Sequence, residues 1–305
     1  MNGVSRRRLS TFSNVLSTFD EPAWCVQKKS NALANRTPSW SSVTLRRELP
    51  LGKRMRQGFL VLVLGALLGA LGAEALLGPL RQDAVYILCL HHVAPVPKED
   101  GALYLAPDAF HELLEELRKE GVPCLSLEAF RQWRGGFRAL PPVSVLLTFD
   151  DGYEDNATEL LPILQSFDVP ATIFVVGANV GAPGRLSAAQ MATLEESGLV
   201  HFGSHTQHHR DLRGLSAAQL TEEFAGSRKF LEGLLGGSVD VLSYPNGRNG
   251  PAIRRMAAKS GYALAFGTEG APCTQLSDPL NLPRYTPGAF VRALRWRLLL
   301  QRLVP

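Results

Sequence analysis

Val143-Ser144-Val145-Leu146-Leu147-Thr148-Phe149-Asp150-Asp151-Gly152-Tyr153 is the stretch whose reading decides the fold. Two prolines precede it, and a run rich in Val and Leu ends abruptly in two carboxylates and a glycine. A short apolar run bounded by turn signals reads as a buried strand. A strand that delivers Asp-Asp-Gly to its C-terminal end puts two acids where parallel α/β folds keep their chemistry. Adjacent side chains on an extended backbone point in opposite directions. The two acids are therefore free to take different jobs, one as a metal ligand and one as a base. Asp-Gly is also a common turn pair, so an acidic turn accounts for the same letters and the partners of the two acids must decide.

Outward from that strand the signals alternate. Upstream, residues 84–93 read as a strand ending in His91-His92, and 108–120 as an amphipathic helix carrying Phe110, Leu113, Leu114 and Leu117. Residues 122–127 read as a short strand and 128–133 as a helical turn. Downstream, 157–167, 187–197, 216–235 and 251–259 read as helices, the third opened by a capping box at Ser216 and Gln219. Residues 171–176, 199–203, 240–244 and 262–266 read as strands, with 281–285 a last short one. Alternation of this kind predicts a parallel β/α architecture, either an open sheet or a barrel. In it the C-terminal strand ends share one face, which gathers His91-His92, Asp150-Asp151, Ser204-His205 and Tyr244-Pro245-Asn246-Gly247.

His205-Thr206-Gln207-His208-His209 sets two imidazoles at i and i+4, on one side of a helix or tight turn. With one carboxylate they make a two-His, one-carboxylate set that leaves positions open for water and substrate. Asp151 is the obvious third ligand, and Asp150 is then free to act as a base.

Thr148-Phe149-Asp150-Asp151-Gly152 and His205-Thr206-Gln207-His208-His209 resemble the first two motifs of the polysaccharide deacetylases, the carbohydrate esterase family 4 or nodulation-type deacetylase domain. The resemblance covers residues 84–290. It implies a distorted (β/α) barrel and a divalent metal, usually Zn2+, with Co2+, Ni2+ or Mn2+ as substitutes. It implies hydrolysis of N-acetyl groups on the amino sugars of an acetylated polysaccharide. By position, Asp150 would be the general base, and Asp151, His205 and His209 the metal ligands. Ser243-Tyr244-Pro245-Asn246-Gly247 resembles the third motif and gives the oxyanion-hole role to the backbone N–H of Asn246, with Ser243 where the family carries arginine. The fourth and fifth motifs are absent. The opening strand, however, resembles the exopolysaccharide branch, typified by poly-N-acetylglucosamine deacetylases, in which an early histidine supplies the acid. By position this is His91, with His92 as its competitor. Arg284 is a candidate to orient Asp150, a surface ion pair being the alternative. Tyr153 and Tyr244, beside and within these motifs, are the candidate substrate-binding residues.

Composition bounds the partners. The 305 residues are 45% hydrophobic and 20% charged, with a formal net charge of +4. Residues 1–56 hold 11 Lys and Arg against 3 Asp and Glu, and the remainder 21 against 25, so the folded part is mildly acidic. That argues against nucleic acid as a partner. Residues 1–57 have a polar, aperiodic composition expected of disorder, and Met55 is an alternative start. Residues 59–73 carry no charge and follow a basic cluster. Segment 58–80 therefore reads as a signal peptide or membrane anchor that sends the domain out of the cytoplasm. Residues 289–305 read as a basic amphipathic helix, suited either to an anionic membrane surface or to packing on the barrel. Cys25, Cys89, Cys124 and Cys273 show no zinc-type spacing. Two rival functions follow from the same residues: an O-deacetylase of the acetyl-xylan type, or a catalytically silent carbohydrate-binding protein.

Overall fold

The computed structural model describes residues 83–97 and 103–303. In chain order the strands are β1 (Ala84–Leu90), β2 (His92–Val93), β3 (Tyr104–Leu105), β4 (Val143–Phe149), β5 (Ala171–Val175), β6 (Val200–Ser204), β7 (Val241–Ser243) and β8 (Leu264–Phe266). The helices are α1 (Pro107–Lys119), α2 (Leu127–Arg134), α3 (Leu161–Phe167), α4 (Ala188–Glu196), α5 (Ala217–Thr221), α6 (Ser227–Leu235), α7 (Pro251–Lys259) and α8 (Pro287–Leu303). Six strands form one parallel sheet in the order β1-β4-β5-β6-β7-β8, while β2 and β3 make a small parallel pair.

Every residue of β1 and β4 is buried, because both faces of the sheet are covered. Successive side chains alternate between the faces. Val85, Ile87 and Leu146 join Phe174, Val241 and Phe266 on the inner face, where Phe130 and Trp133 of α2 also pack. Tyr86, Leu88, Val145 and Leu147 join Phe110 and Leu113 of α1 and Phe290 and Leu294 of α8 on the outer one.

The seam between the first and last strands is bridged by one irregular segment. Leu282 pairs with Phe266 of β8 and Tyr285 with Leu88 of β1, each through a single bridge. The Leu282 N–H donates to the Ala265 carbonyl at 2.8 Å, and the Tyr285 N–H to the Ile87 carbonyl at 2.8 Å. The expected strand at 281–285 is therefore two bridges rather than a ladder. Pro283 brings no N–H to it, and the segment passes from one edge strand to the other within four residues.

Other expectations need correction. Residues 122–127 make only the bridge Cys124–Val145, and Ser126 instead caps α2, its hydroxyl accepting the Ala129 N–H at 3.1 Å. The expected helix 216–235 contains a π-helical stretch, Glu222–Gly226, between α5 and α6. The opening strand breaks at His91, which lies between β1 and β2. Cys89, Cys124 and Cys273 are free thiols. The expectations for residues 1–57 and 58–80, and for Cys25, fall outside the described residues. No helix among the described residues is long and apolar enough to cross a membrane.

Helix α8 packs through Phe290, Val291 and Leu294, all buried, whereas Trp296 is 66% and Leu299 37% exposed. Urea unfolding should separate the two faces. Leu294→Ala is expected to cost about 2–5 kcal/mol, as a core cavity does, and Leu299→Ala less than about 0.5 kcal/mol. Equal effects would mean that α8 does not pack on the sheet in solution.

Candidate active site

Alternation along three strands sends a polar set into the space enclosed by the curled sheet. Beyond Val85 and Ile87 come Cys89 and His91; beyond Leu146 come Thr148 and Asp150; beyond Val241 comes Ser243. Asp150 is buried there, and Arg284 of the seam segment reaches it from the opposite side. The guanidinium donates Nη1 to Asp150 Oδ1 at 2.8 Å and Nη2 to Oδ2 at 2.7 Å. Its remaining hydrogens go to Thr148 Oγ1 at 3.1 Å, Ser243 Oγ at 2.8 Å and the Gly267 carbonyl at 3.0 Å. All five donors of the fork are used, and Arg284 is fully buried. The surface-ion-pair alternative is excluded. The Ser243 hydroxyl donates to Asp150 Oδ2 at 3.1 Å, so serine and the incoming guanidinium together fill the place where the related motif carries arginine.

Electrostatics follow from this packing. Burial alone would raise the Asp150 carboxyl, but the Arg284 guanidinium, backed by His205 and His91, outweighs it and holds the acid well below the usual carboxylate range. Burial pushes the Cys89 thiol up, and its Sγ stands 3.5 Å from Asp150 Oδ2. Cys89, His91 and Asp150 lie close enough together to be considered as a ligand set. Arg284 already occupies both Asp150 oxygens, so this set offers a cation no free carboxylate.

The second set differs. Asp151 has a left-handed backbone, φ 74°, which turns its carboxylate away from Arg284 and toward the histidine loop. Asp151 Oδ1 lies 3.5 Å from His205 Nε2 and 3.5 Å from His209 Nε2. Two donors on one tetrahedral zinc, each about 2.1 Å from it, stand about 3.4 Å apart. The spacing therefore fits a shared ion. His205 Nδ1 donates to the Ser243 carbonyl at 2.8 Å, which fixes the tautomer and leaves the Nε2 lone pair for a ligand. Burial would raise the Asp151 carboxyl, but His205 and His91 hold it low. Burial, then His205, lowers His209.

The His205–His209 spacing is not helical. Thr206 and His209 both have positive φ, 66° and 56°, and the chain makes a tight turn. The Ser204 hydroxyl accepts the Thr206 N–H at 3.0 Å, and the Thr206 hydroxyl accepts the His209 N–H at 3.1 Å.

The remaining candidates separate. His91 follows Cys89 on the inward alternation and stands with Asp150; burial lowers its pKa. His92 turns the other way. Its Nδ1 meets Asp155 Oδ2 at 2.5 Å, and its ring is stacked between Tyr104 at 4.0 Å and Tyr153 at 3.5 Å. Tyr153 also lies under the Arg185 guanidinium at 4.0 Å. Burial, with help from the Asp151 charge, pushes its phenol up to about 12. Tyr244 is not brought to the site. Ser243 faces inward, so Tyr244 faces outward, fully buried, with its hydroxyl on the Leu280 carbonyl at 3.0 Å. Asn246 is exposed in the turn after β7 with φ 56°, and among the described residues no group accepts from its N–H.

Two residues outside the expected set also serve the site: Asp155, whose other oxygen accepts the Val93 N–H at 3.0 Å, and Asn156, which donates to the His91 carbonyl at 3.1 Å. Together they clamp the strand break that carries His91. Nothing in their local sequence distinguishes them from turn residues.

A curled parallel β/α sheet with an Asp-His-His donor set at its C-terminal edge defines a class of scaffolds suited to metal-assisted hydrolysis. Residues 138–265 match the family model described as polysaccharide deacetylase. YxkH of Bacillus subtilis, a protein named after the same family, is 32% identical over 186 residues, 55% of this chain and 66% of that protein. The chain thus spans just under two thirds of that relative's length. A poly-beta-1,6-N-acetyl-D-glucosamine N-deacetylase of Staphylococcus aureus is 25% identical over 205 residues, 61% of this chain and 69% of that one. The solved structure of the Streptococcus pyogenes deacetylase PplD in complex with acetate superposes with a TM-score of 0.64 at 27% identity, covering 71% of this chain and 99% of that chain.

Removing the guanidinium leaves a buried carboxylate unpaired. Arg284→Met is expected to cost about 3–5 kcal/mol of unfolding free energy. Arg284→Lys, which keeps the charge but loses the fork, should cost less. A loss below about 1 kcal/mol in Arg284→Met would show that the guanidinium is not what satisfies Asp150.

Proposed function

We propose that the protein is a metal-dependent polysaccharide N-deacetylase acting on N-acetylglucosamine residues outside the cytoplasm. The observation that carries this reading is the adjacency of two acids with separate partners: Asp150 ionised on Arg284, and Asp151 converging with His205 and His209. Asp151, His205 and His209 would hold a divalent ion, zinc first and cobalt, nickel or manganese after it, which supplies Lewis acidity toward the acetyl carbonyl and makes water a stronger acid. Asp150 takes the proton from a water that adds to the acetyl carbon. The Asn246 N–H donates to the oxygen that gains charge. His91 gives a proton to the sugar nitrogen as the carbon–nitrogen bond breaks, so that acetate and a free amine leave. Arg284 keeps Asp150 ionised before the proton is taken and oriented throughout, and Tyr153 borders the entrance.

The same groups serve an acetyl ester, and an O-deacetylase is the second reading. A catalytically silent carbohydrate-binding protein is less well supported, because base, ligand set and acid are all retained. Export fits the uncharged run at 59–73 and the basic cluster before it. Retention at the membrane fits the same segment together with the exposed Trp296 and Leu299 of α8.

Acetate release should be measured on β-1,6 and β-1,4 N-acetylglucosamine oligomers, peptidoglycan and acetyl-xylan, with zinc- or cobalt-loaded protein. Release from the β-1,6 oligomers with matching free amine is expected; release from acetyl-xylan alone would favour the ester reading. Asp150→Asn should keep its metal content and lose about 10²–10⁴ in turnover. His205→Ala should lose the metal itself. Full turnover by metal-stripped Asp150→Asn protein would sink the scheme. His91→Gln should keep metal and lose turnover, and unchanged turnover would take the acid role from His91.

A further inference from the structure

The π-helical stretch Glu222–Gly226 interrupts the helix between α5 and α6. A π turn adds a residue to the helical repeat and re-aims the side chains around it, and such turns gather at functional sites. Here it sets Glu223 behind the loop that carries His205 and His209. Glu223 is fully buried, 0% exposed. Its Oε2 accepts the His208 backbone N–H at 2.8 Å, and its Oε1 meets His208 Nδ1 at 3.1 Å and Arg210 Nε at 3.3 Å. Its own carbonyl accepts the Gln207 N–H at 3.0 Å. One residue therefore holds the loop at positions 207, 208 and 210, on both sides of the ligand His209.

That loop needs holding. Thr206 is a buried, β-branched residue with positive φ, and His209 also has positive φ. L residues keep such conformations only where the surroundings impose them. From the sheet side the Gly177 and Ala178 N–H groups accept this task, donating to the Thr206 carbonyl at 3.0 Å and the Gln207 carbonyl at 2.8 Å. From the helix side it falls to Glu223. A charge pair alone would not require a fully buried carboxylate, since the side chains of its partners His208 and Arg210 are 36% and 42% exposed. The group that needs a buried acceptor is the backbone amide.

We infer that Glu223 is a positioning residue for the metal site: its carboxylate sets the 205–210 turn so that His209 Nε2 converges with His205 Nε2 on Asp151. The inference rests on reading Asp151, His205 and His209 as metal ligands.

The test uses the full chain. Zn2+ affinity is measured by competition with a chromophoric chelator, Co2+ binding by its visible absorption bands, and fold by the melting temperature of the metal-free protein. Glu223→Ala should bind Zn2+ about 10- to 100-fold more weakly, the range found when partners behind metal ligands are removed. Its Co2+ bands should lose intensity or shift. Glu223→Gln, whose amide oxygen still accepts one N–H, should recover part of the loss. Glu222→Ala, on the exposed side of the same turn, should bind like the wild type. Folded Glu223→Ala with wild-type Zn2+ affinity and Co2+ bands overturns the inference, whatever its melting temperature. Should that variant fail to fold, folded Glu223→Gln with unchanged affinity and bands overturns it equally. Wild-type protein that binds neither ion removes the metal reading itself, an outcome distinct from a wild type that binds and a variant that binds as well.

Discussion

A carboxylate enclosed by a sheet is stable as an ion only if a counter-charge and hydrogen-bond donors come with it. In this protein one residue brings both. Arg284 forks onto Asp150 and spends its other donors on Thr148, Ser243 and the Gly267 carbonyl, so it ties β4, β7 and the segment after β8 into one polar knot. It can do so only because Leu282 and Tyr285 pin their segment to β8 and β1. Seam and buried carboxylate are thus built together. The backbone bridges place the guanidinium, and the guanidinium neutralises the charge that would otherwise make the enclosed space untenable.

Asp151 then owes its separate role to geometry. If the strand had simply continued, its carboxylate would point into the helix layer. The left-handed turn at Asp151 brings it back toward the histidine loop, within reach of His205 and His209 but outside the Arg284 fork. Neighbouring residues of the same type end in opposite electrostatic settings. One is committed to a cation supplied by the chain, the other faces two imidazoles with no such cation beside them. A base and a ligand for an added ion at this distance would each need its own positive partner, and Asp150 has one from the chain in Arg284.

Much of this was legible in the amino-acid order. The alternation of strand and helix, the gathering of polar residues at strand ends, and the pairing of Asp-Asp-Gly with a histidine pair are patterns of period and spacing, and the structure keeps them. What was not legible depends on which face of a strand turns inward. In β1 and β7 the period gives no inward face, so only motif position, and not alternation, separates His91 from His92 or Ser243 from Tyr244. The structure turns His91 and Ser243 in and Tyr244 out. The seam segment has too few paired residues to show a period. The π turn and the partners Asp155 and Glu223 act through backbone amides far away in sequence, a kind of contact that leaves no local signature.

The seam also sets an order of events. Strand β1 is the first described strand of the chain, and its edge away from β4 is bridged by Cys273 and Tyr285, with α8, the last described helix, on its outer face. Until residues 282–285 have been made, Phe266 and Leu88 lack their bridge partners, and Asp150 lacks its guanidinium. Contacts between the beginning and end of a chain form slowly, because the loop between them must close first. A partly made or C-terminally clipped chain would therefore be incomplete in its base as well as in its sheet. A chain ending before Arg284 would leave the Asp150 carboxylate buried without its counter-charge.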